Sequence, residues 1–230
     1  MIREAIILAG GLGTRLRSVV SAQPKCMAVV AGKPFLHYVI NYLQQQGIER
    51  FIFSLGYKHE MIETYVSDQY SMLDVQYSIE EEPLGTGGAI KLACKKTTRN
   101  NVLVLNGDTL FSIDLAKLST FHELKKASCT LSLKAMADFD RYGAVTLRED
   151  NRIDSFKEKQ FYKSGLINGG IYALDKAQFT VTNLPDKFSF EKEYLEKFYA
   201  EQNMYGIEQD AYFIDIGIPE DYERAQKELC

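Results

Sequence analysis

Apolar runs and helix-like patterns alternate along the first half of the chain. Residues Ala5 to Ala9 form a continuous apolar run that ends at Gly10-Gly11, which is typical of a strand buried on both faces. The same criteria predict three further strands and three intervening helices. The strands are Phe51 to Leu55, Val75 to Ile79 and Val102 to Leu105, and the helices are Phe35 to Gln46, Glu60 to Val66 and Gly88 to Lys95. This alternation predicts a mostly parallel sheet with helices on both faces.

The pattern changes after Leu124, where strand candidates follow one another with little helix between them. They are Cys129 to Leu133, Ala144 to Leu147, Ile153 to Lys157, Leu166 to Leu174 and Tyr212 to Ile216. A helix is predicted from Pro219 to Leu229, with proline in its first turn. Since no Pro/Ser/Gly-rich linker and no repeat interrupts the sequence, we expect a single Rossmann-like three-layer α/β/α domain, 1–230. Its central sheet is mixed but mostly parallel, and a smaller lobe covers one edge.

Composition and charge exclude several classes of protein. The chain has 230 residues, of which 46% are hydrophobic and 25% charged, and its net charge is −4. These values are those of a globular protein, and the lack of a basic excess argues against a nucleic-acid partner. The N-terminal apolar run is too short for a signal peptide, and no stretch approaches the roughly 20 apolar residues of a membrane span. We therefore expect a cytoplasmic protein with no membrane partner, whose four cysteines are reduced thiols.

A glycine-rich loop and two cations follow the first predicted strand. The segment Leu8-Ala9-Gly10-Gly11-Leu12-Gly13-Thr14-Arg15-Leu16 runs from a buried strand into three glycines and an arginine. Glycines let backbone N–H groups approach phosphate oxygens, and arginine supplies a fork of donors. The loop is neither a Walker A motif nor G-x-G-x-x-G, because Leu16 stands where the third glycine would be. A tight strand-to-helix turn would explain the glycines alone, but Arg15 and Lys25 favour an anion site.

Three acidic residues precede a second glycine-rich turn. Glu80-Glu81-Glu82 come at the end of the strand predicted from Val75 to Ile79, in which apolar and polar residues alternate. Pro83-Leu84-Gly85-Thr86-Gly87-Gly88 follows and leads into a predicted helix. Runs of like charge are usually solvated. Turns of this kind, however, bring the backbone close to a ligand, so the segment is a second candidate binding site.

Two carboxylates lie on or directly after apolar strands. Asp108 ends the segment Asn106-Gly107-Asp108, and Asp215 lies within Phe213-Ile214-Asp215-Ile216-Gly217. An Asx turn or a helix N-cap would explain Asp108 alone. An unpaired charge on an apolar strand is costly, however, and ligands bind beyond the carboxyl ends of parallel strands. Together, Asp108 and Asp215 make a plausible divalent-metal site for phosphate chemistry.

Taken in order, these motifs resemble those of the sugar-1-phosphate nucleotidylyltransferases. The resemblance rests on Gly10 to Leu16 with Pro24-Lys25, and on Pro83 to Gly87, Asn106 to Asp108, Arg141 to Gly143, Glu158-Lys159, Asn168 to Gly170 and Asp215 to Gly217. It covers nearly the whole chain. Within the family, the chain is most similar to D-glycero-α-D-manno-heptose 1-phosphate guanylyltransferases, on the stretches Asp138 to Gly143, Gly165 to Tyr172 and Phe213 to Tyr222.

The resemblance implies the nucleotide-diphospho-sugar transferase fold, with a nucleotide-binding half, 1–125, and a sugar-phosphate-binding half, 126–230. It also implies transfer of GMP from GTP to a heptose 1-phosphate, with Mg²⁺ as cofactor, for surface glycan synthesis. The nucleotide-binding residues would be Leu8, Gly10, Gly11, Gly13, Thr14, Arg15, Glu80, Pro83, Gly85 and Thr86. The sugar phosphate would be bound by Gly143, Glu158, Lys159 and Asn168, and the metal by Asp108 and Asp215. Arg15, Lys25 and Asp108 would be catalytic.

Glu80 is the candidate for reading the nucleotide base. An ionised carboxylate offers only acceptors, which suit the adjacent N1–H and amino donors of guanine and would meet a pyrimidine carbonyl with repulsion. In thymidylyl- and uridylyl-transferring relatives the corresponding position often holds Gln. Glu82 is the other candidate for this role, and solvation of all three acids is the structural alternative.

Other functions stay open at this point. The nearest are a mannose 1-phosphate guanylyltransferase and a uridylyltransferase for another sugar. A nicotinamide-dependent oxidoreductase would need an acid at the end of the second strand, where Ser54-Leu55-Gly56-Tyr57 stands. A catalytically inactive nucleotide-binding subunit would lack Lys25, Asp108 or Asp215, and all three are present. A homodimer is the expected assembly.

Overall fold

A mixed sheet of nine strands forms the centre of the protein. The structure is a computed structural model, and it describes residues 1–11, 23–157 and 159–229. The strands are β1 Glu4–Leu8, β2 Val29–Val30, β3 Lys33–Pro34, β4 Arg50–Leu55, β5 Asp74–Ile79, β6 Asn101–Asn106, β7 Thr109–Phe111, β8 Cys129–Phe139, β9 Ala144–Leu147, β10 Ile153–Lys157, β11 Tyr162–Asp175, β12 Met204–Glu208 and β13 Phe213–Asp215. The helices are α1 Phe35–Gln45, α2 His59–Gln69, α3 Gly85–Ala93, α4 Leu115–Lys125, α5 Lys176–Val181, α6 Glu196–Phe198 and α7 Pro219–Glu228. A π-helical segment, Phe190–Leu195, precedes α6.

The sheet combines a parallel half with a half in which most pairings are antiparallel. Its main strand order is β10-β9-β11-β6-β1-β4-β5, and β8 lies between β11 and β12. Strands β6, β1, β4 and β5 are mutually parallel, whereas β11 is antiparallel to β6, β8 and β9. The second half of the chain thus extends the sheet begun by the first. The predicted fold class is confirmed.

Alternate residues of the central strand enter two separate cores. Ala5 and Ile7 pack with α1 and α2 on one face, while Ile6 packs with α3 and the π-helical segment on the other. All three side chains are fully buried. This explains why β1 is a continuous apolar run rather than an alternating one, and it gives the predicted three layers.

Several elements differ from the sequence prediction. Helix α4 was not predicted because its buried positions Leu115, Leu118, Ser119 and His122 include two polar residues, so no apolar stripe marks it. The short strand β12 was also missed, since Gly206 interrupts its apolar pattern. The predicted strand from Tyr212 to Ile216 is present only as β13, which pairs with β7 outside the central sheet. In β5 the expected alternation is wrong at its end, where Ser78 is buried and Ile79 is 40% exposed.

The structure describes three of the four cysteines, and it also shows whether any described helix could span a membrane. Cys26, Cys94 and Cys129 are buried free thiols, and burial raises the pKa of Cys26 and of Cys94 to about 12. These three thiols therefore stay protonated at neutral pH. Across 1–11, 23–157 and 159–229, no helix has the length and apolar character needed to cross a membrane.

Candidate active site

The carboxyl ends of the parallel strands are joined by backbone hydrogen bonds. The Ala9 N–H donates to Ser54 O (2.9 Å), the Glu80 N–H donates to Leu55 O (2.8 Å) and the Gly107 N–H donates to Leu8 O (2.8 Å). A Cβ at position 107 would lie 2.9 Å from that Leu8 oxygen, so only glycine fits without a shift. These bonds bring the ends of β1, β4, β5 and β6 to one edge of the sheet, where a ligand is expected.

A large cavity of about 1050 Å³ opens at this edge. Every predicted nucleotide-binding residue that the structure describes lines it, namely Leu8, Gly10, Gly11, Glu80, Pro83, Gly85 and Thr86. Ile79 and Ala89 add apolar surface. The predicted residues Gly13, Thr14 and Arg15 lie outside the described residues. An apolar slot with a few polar groups is the usual form of a small-molecule site.

Glu80 is one of the acids that line this cavity, and it is half-buried. Its Oε2 accepts a hydrogen bond from the Leu84 N–H at 2.8 Å. Burial raises the pKa of the Glu80 carboxyl, and the bond from Leu84 offsets part of that rise. Glu82 is exposed, and it does not line either cavity in the described part of the chain. The geometry therefore favours Glu80 over Glu82 as the acid that faces a ligand.

The second glycine-rich turn is packed against the protein's own chain. Gly85 has φ +72°, and a Cβ there would lie 2.5 Å from Phe188 O. The Phe188 ring covers Gly87, whose N–H donates to Phe188 O at 3.0 Å. The Thr86 hydroxyl accepts from the Phe190 N–H at 2.9 Å. We expected this turn to bring the backbone close to a ligand. In the structure, its glycines leave room for the segment that precedes the π-helix, because a Cβ at Gly85 or Gly87 would clash with Phe188.

A smaller cavity of about 350 Å³ adjoins the first and carries most of the charge. Its lining includes Lys25, Asp108, Lys159, Asn168 and Asp215, all of which were predicted site residues. The two cavities share four lining residues, Gly11, Asn106, Asp108 and Glu191. They are therefore neighbours that meet at the end of β6.

The pairing of β7 with β13 brings the two predicted metal ligands together. Asp215 is opposite Thr109, the residue after Asp108. The Lys25 ammonium lies between the carboxylates, 2.5 Å from Asp108 Oδ2 and 3.4 Å from Asp215 Oδ1. Burial and the neighbouring Asp108 raise the pKa of Asp215, while Lys25 and the Gly217 N–H lower it in part. The cluster therefore has more negative charge than one lysine neutralises.

Asp108 and Asp215 are the kind of ligands that suit Mg²⁺ when a substrate supplies further oxygen ligands. Mg²⁺ is usually bound by one or two carboxylates plus water and phosphate oxygens, rather than by a protein cage. No cluster of three or more His, Cys, Asp or Glu side chains suited to a metal occurs among the residues that the structure describes. A cation at Asp108 and Asp215 would therefore need oxygens from a bound phosphate.

The predicted sugar-side residues are only partly brought together. Asn168 lines the smaller cavity, but its Oδ1 accepts from the Gly170 N–H (3.1 Å) and its Nδ2 donates to the Tyr172 hydroxyl (2.8 Å). Gly143 lines neither cavity in the described part of the chain, and a Cβ there would lie 2.6 Å from Lys157 O. Glu158 lies outside the described residues.

Two charged residues of the smaller cavity were not predicted as site residues. Arg141 donates to Asp221 Oδ2 at 2.7 Å, and the Asp221 side chain is only 8% exposed. Helix α7 thereby fixes a cation at the cavity wall. Glu191, in the π-helical segment, lines both cavities. No sequence pattern marks Glu191, because it stands in a polar run, Glu191-Lys192-Glu193, that is typical of a solvated helix.

Comparison with known proteins connects this site to a family. The chain is 58% identical to a D-glycero-alpha-D-manno-heptose 1-phosphate guanylyltransferase of Aneurinibacillus thermoaerophilus, over 98% of both chains. It is 50% identical to a protein of that name from Campylobacter jejuni, over 95% of this chain and 96% of that one. A crystal structure of HddC from Yersinia pseudotuberculosis, complexed with GMP-PN, superposes with a TM-score of 0.90 at 40% identity over the whole of both chains. Residues 4–230 match the family described as nucleotidyl transferase, and the chain therefore belongs to that family.

Proposed function

We propose that the protein transfers GMP from GTP to D-glycero-α-D-manno-heptose 1-phosphate, which gives GDP-heptose and pyrophosphate. The observation that carries this proposal is the pair of adjoining cavities that meet at Asp108, one mainly apolar and one charged. A base and a sugar phosphate need these two environments side by side. The guanylyltransferases that are 58% and 50% identical over nearly their full lengths support the choice of substrates.

The reaction is an in-line displacement at the α-phosphorus of GTP. An oxygen of the sugar phosphate forms a bond to that phosphorus, the bond from the α-phosphorus to the bridging oxygen breaks, and pyrophosphate leaves with its electron pair. The attacking phosphate monoester is already anionic at neutral pH, so no side chain has to remove a proton. Catalysis then consists of positioning two anions and neutralising their charge.

Lys25 supplies positive charge beside the carboxylate that both cavities share. Its ammonium contacts Asp108 and Asp215 in this structure. Asp108 and Asp215 would hold Mg²⁺, which when bound neutralises the phosphates of GTP. Lys25 would then be free to meet the α-phosphate. The glycine loop, Gly10 to Thr14, and Arg15 are assigned to the triphosphate.

The sugar phosphate is assigned to the smaller cavity. Lys159 lines that cavity and would bind the phosphate, and Glu158 would accept from a ring hydroxyl. Because its amide already bonds Gly170 and Tyr172, Asn168 can offer a sugar only its second N–H and a second lone pair.

Guanine is assigned to the larger cavity, with Glu80 accepting from its N1–H and amino groups. One Glu80 oxygen accepts from Leu84, and a Cβ on Gly10 would lie 3.2 Å from the other, so Gly10 leaves that oxygen accessible. Each carboxylate oxygen has more than one acceptor site. The exposed Ile79 beside Glu80 offers apolar surface to the base.

A pyrophosphate-release assay tests the proposal. It crosses GTP, ATP, CTP and UTP with heptose, mannose and glucose 1-phosphates, and mass spectrometry identifies the nucleotide sugar. We expect the highest kcat/KM for GTP with the heptose 1-phosphate. A higher kcat/KM with mannose 1-phosphate or with UTP would show that the proposed substrate is wrong. If no pair released pyrophosphate, the enzymatic function itself would be contradicted.

A further inference from the structure

Glu191 is a charged residue of the site that the proposed mechanism does not use. It is the second residue of the π-helical segment Phe190–Leu195. It lies at the junction of the cavities, because it lines both of them. Glu191 is exposed to solvent, but of the exposed acids in the described residues it is one that faces both cavities, which gives it access to both substrates.

The backbone before Glu191 is fixed by the nucleotide side of the site. The Phe188 N–H donates to Leu84 O at 2.9 Å, and the Phe190 N–H donates to the Thr86 hydroxyl at 2.9 Å. The Phe188 and Phe190 side chains are buried in the core. The segment that precedes Glu191 is therefore tied by hydrogen bonds to Leu84 and to Thr86 in the first turn of α3, and Glu191 faces the cavities from there.

The surroundings of the Glu191 carboxyl connect it to the sugar side. The residue is exposed, yet desolvation by the protein around its carboxyl raises the pKa of Glu191. Lys159 and the Tyr172 hydroxyl lower that pKa in part by stabilising the charge. The same Tyr172 hydroxyl accepts a hydrogen bond from Asn168 Nδ2. Glu191 thus belongs to one electrostatic cluster with two predicted sugar-phosphate residues.

We propose that Glu191 is a specificity-determining residue whose carboxylate accepts hydrogen bonds from hydroxyl groups of the transferred sugar. A carboxylate accepts from hydroxyls and repels phosphates, so its partner in the site is a neutral polyol. The ribose of the nucleotide shares this chemistry. The sugar is favoured because Lys159 and Asn168 line the smaller cavity and not the larger one. This role rests on the proposed function and adds a residue that the sequence motifs do not include.

The test compares Glu191→Gln with the matched control Glu201→Gln, an exposed acid of the turn after α6 that does not line either cavity in the described residues. For Glu191→Gln we expect the KM for the sugar 1-phosphate to rise about tenfold or more, with the KM for GTP within about twofold of wild type. Glu191→Asp should recover part of the loss. Glu201→Gln should behave as wild type.

Sugar 1-phosphates that lack one hydroxyl give a second readout. Wild type should discriminate against one such deoxy analogue by about tenfold or more in kcat/KM, and Glu191→Gln should lose most of that discrimination. The proposal would be overturned if Glu191→Gln discriminated against the deoxy analogue as wild type does. It would also be overturned if Glu191→Gln raised only the KM for GTP, because Glu191 would then bind the ribose of the nucleotide. An absence of any effect of Glu191→Gln in a Lys159→Ala background would overturn it too, because Glu191 would then act only through Lys159. These comparisons use the best substrate pair of wild type. If wild type turns over no pair, the proposed function itself fails.

Discussion

The two cavities differ in what surrounds a ligand, although they share a wall. The larger is lined by strand ends, glycines and apolar side chains, and its acids include Glu80, Glu81, Asp108 and Glu191. The smaller gathers Lys25, Asp108, Asp215, Arg141 and Lys159 within about 350 Å³. The difference indicates that recognition and charge neutralisation are separated in this fold. Substitutions in the smaller cavity should therefore change kcat and the KM for the sugar phosphate. Substitutions in the larger cavity should change the preference among nucleotides.

The largest effects are expected from the carboxylates that meet Lys25. Asp108→Asn and Asp215→Asn should each lower kcat by about 100-fold or more, because each removes a charge that would hold the metal against the α-phosphate. Steady-state kinetics at saturating Mg²⁺ measures this. Asp210→Asn is the control, since Asp210 is an exposed partner of Lys134 outside both cavities. Near-normal turnover in either site variant would refute the two-carboxylate site.

The two lysines of the smaller cavity should separate kinetically. Lys25→Ala should lower kcat by about 100-fold, because Lys25 acts on charge that develops in the transition state. Lys159→Ala should raise the KM for the sugar phosphate by about tenfold, because Lys159 meets an anion present in the ground state. Full kinetics in both substrates distinguishes these patterns. Similar increases in the KM for GTP from both variants would contradict the assignment.

Base preference is the matching prediction for the larger cavity. Glu80→Gln should lower the ratio of kcat/KM for GTP to that for UTP by about tenfold or more, since the amide offers a pyrimidine both a donor and an acceptor. Glu82→Gln should leave the ratio unchanged, because Glu82 is exposed and was not found lining either cavity in the described residues. An unaltered ratio in Glu80→Gln would remove this carboxylate from the base site.

The cavities also differ in how far the sequence predicted them. The larger is built from short continuous motifs that end predicted strands, so every predicted nucleotide residue in the described part of the chain lines it. The smaller depends on pairings between distant segments. Asp215 approaches Asp108 only because β13 pairs with β7, and Arg141 is fixed only by Asp221 on α7. Local patterns do not encode such contacts, which is why Glu191 was missed and why Arg141, although part of a motif, was not predicted as a site residue.

The fold shows the same limit. Both ends of strands β1, β4 and β6 were predicted to within one residue, because burial on both faces makes these strands continuous apolar runs. Helix α3 begins at Gly85, three residues before its predicted start, because residues 186–190 pack against glycines that have poor helix propensity. Propensity is overridden there by tertiary packing.

The smallest effect expected is on stability. Asp215→Asn should raise the free energy of unfolding at pH 7, by no more than about 1 kcal/mol or roughly 2–4 °C in Tm. The reason is that the folded environment raises the pKa of Asp215 and so disfavours its charge. A carboxyl with a raised folded pKa binds more protons in the folded state, so wild-type stability from this group falls as pH rises through that pKa. The variant should lack that fall. If thermal melts at pH 7 without metal showed Asp215→Asn to be less stable than wild type, this prediction would be contradicted.

The central claim is that a sugar phosphate attacks the α-phosphorus of GTP and displaces pyrophosphate. Parallel reactions with [α-³²P]GTP and [γ-³²P]GTP, with D-glycero-α-D-manno-heptose 1-phosphate as acceptor, test it most directly. The α label should appear in the nucleotide sugar and the γ label in pyrophosphate. The γ label in orthophosphate or on the sugar, or no label in a nucleotide sugar, would contradict the account.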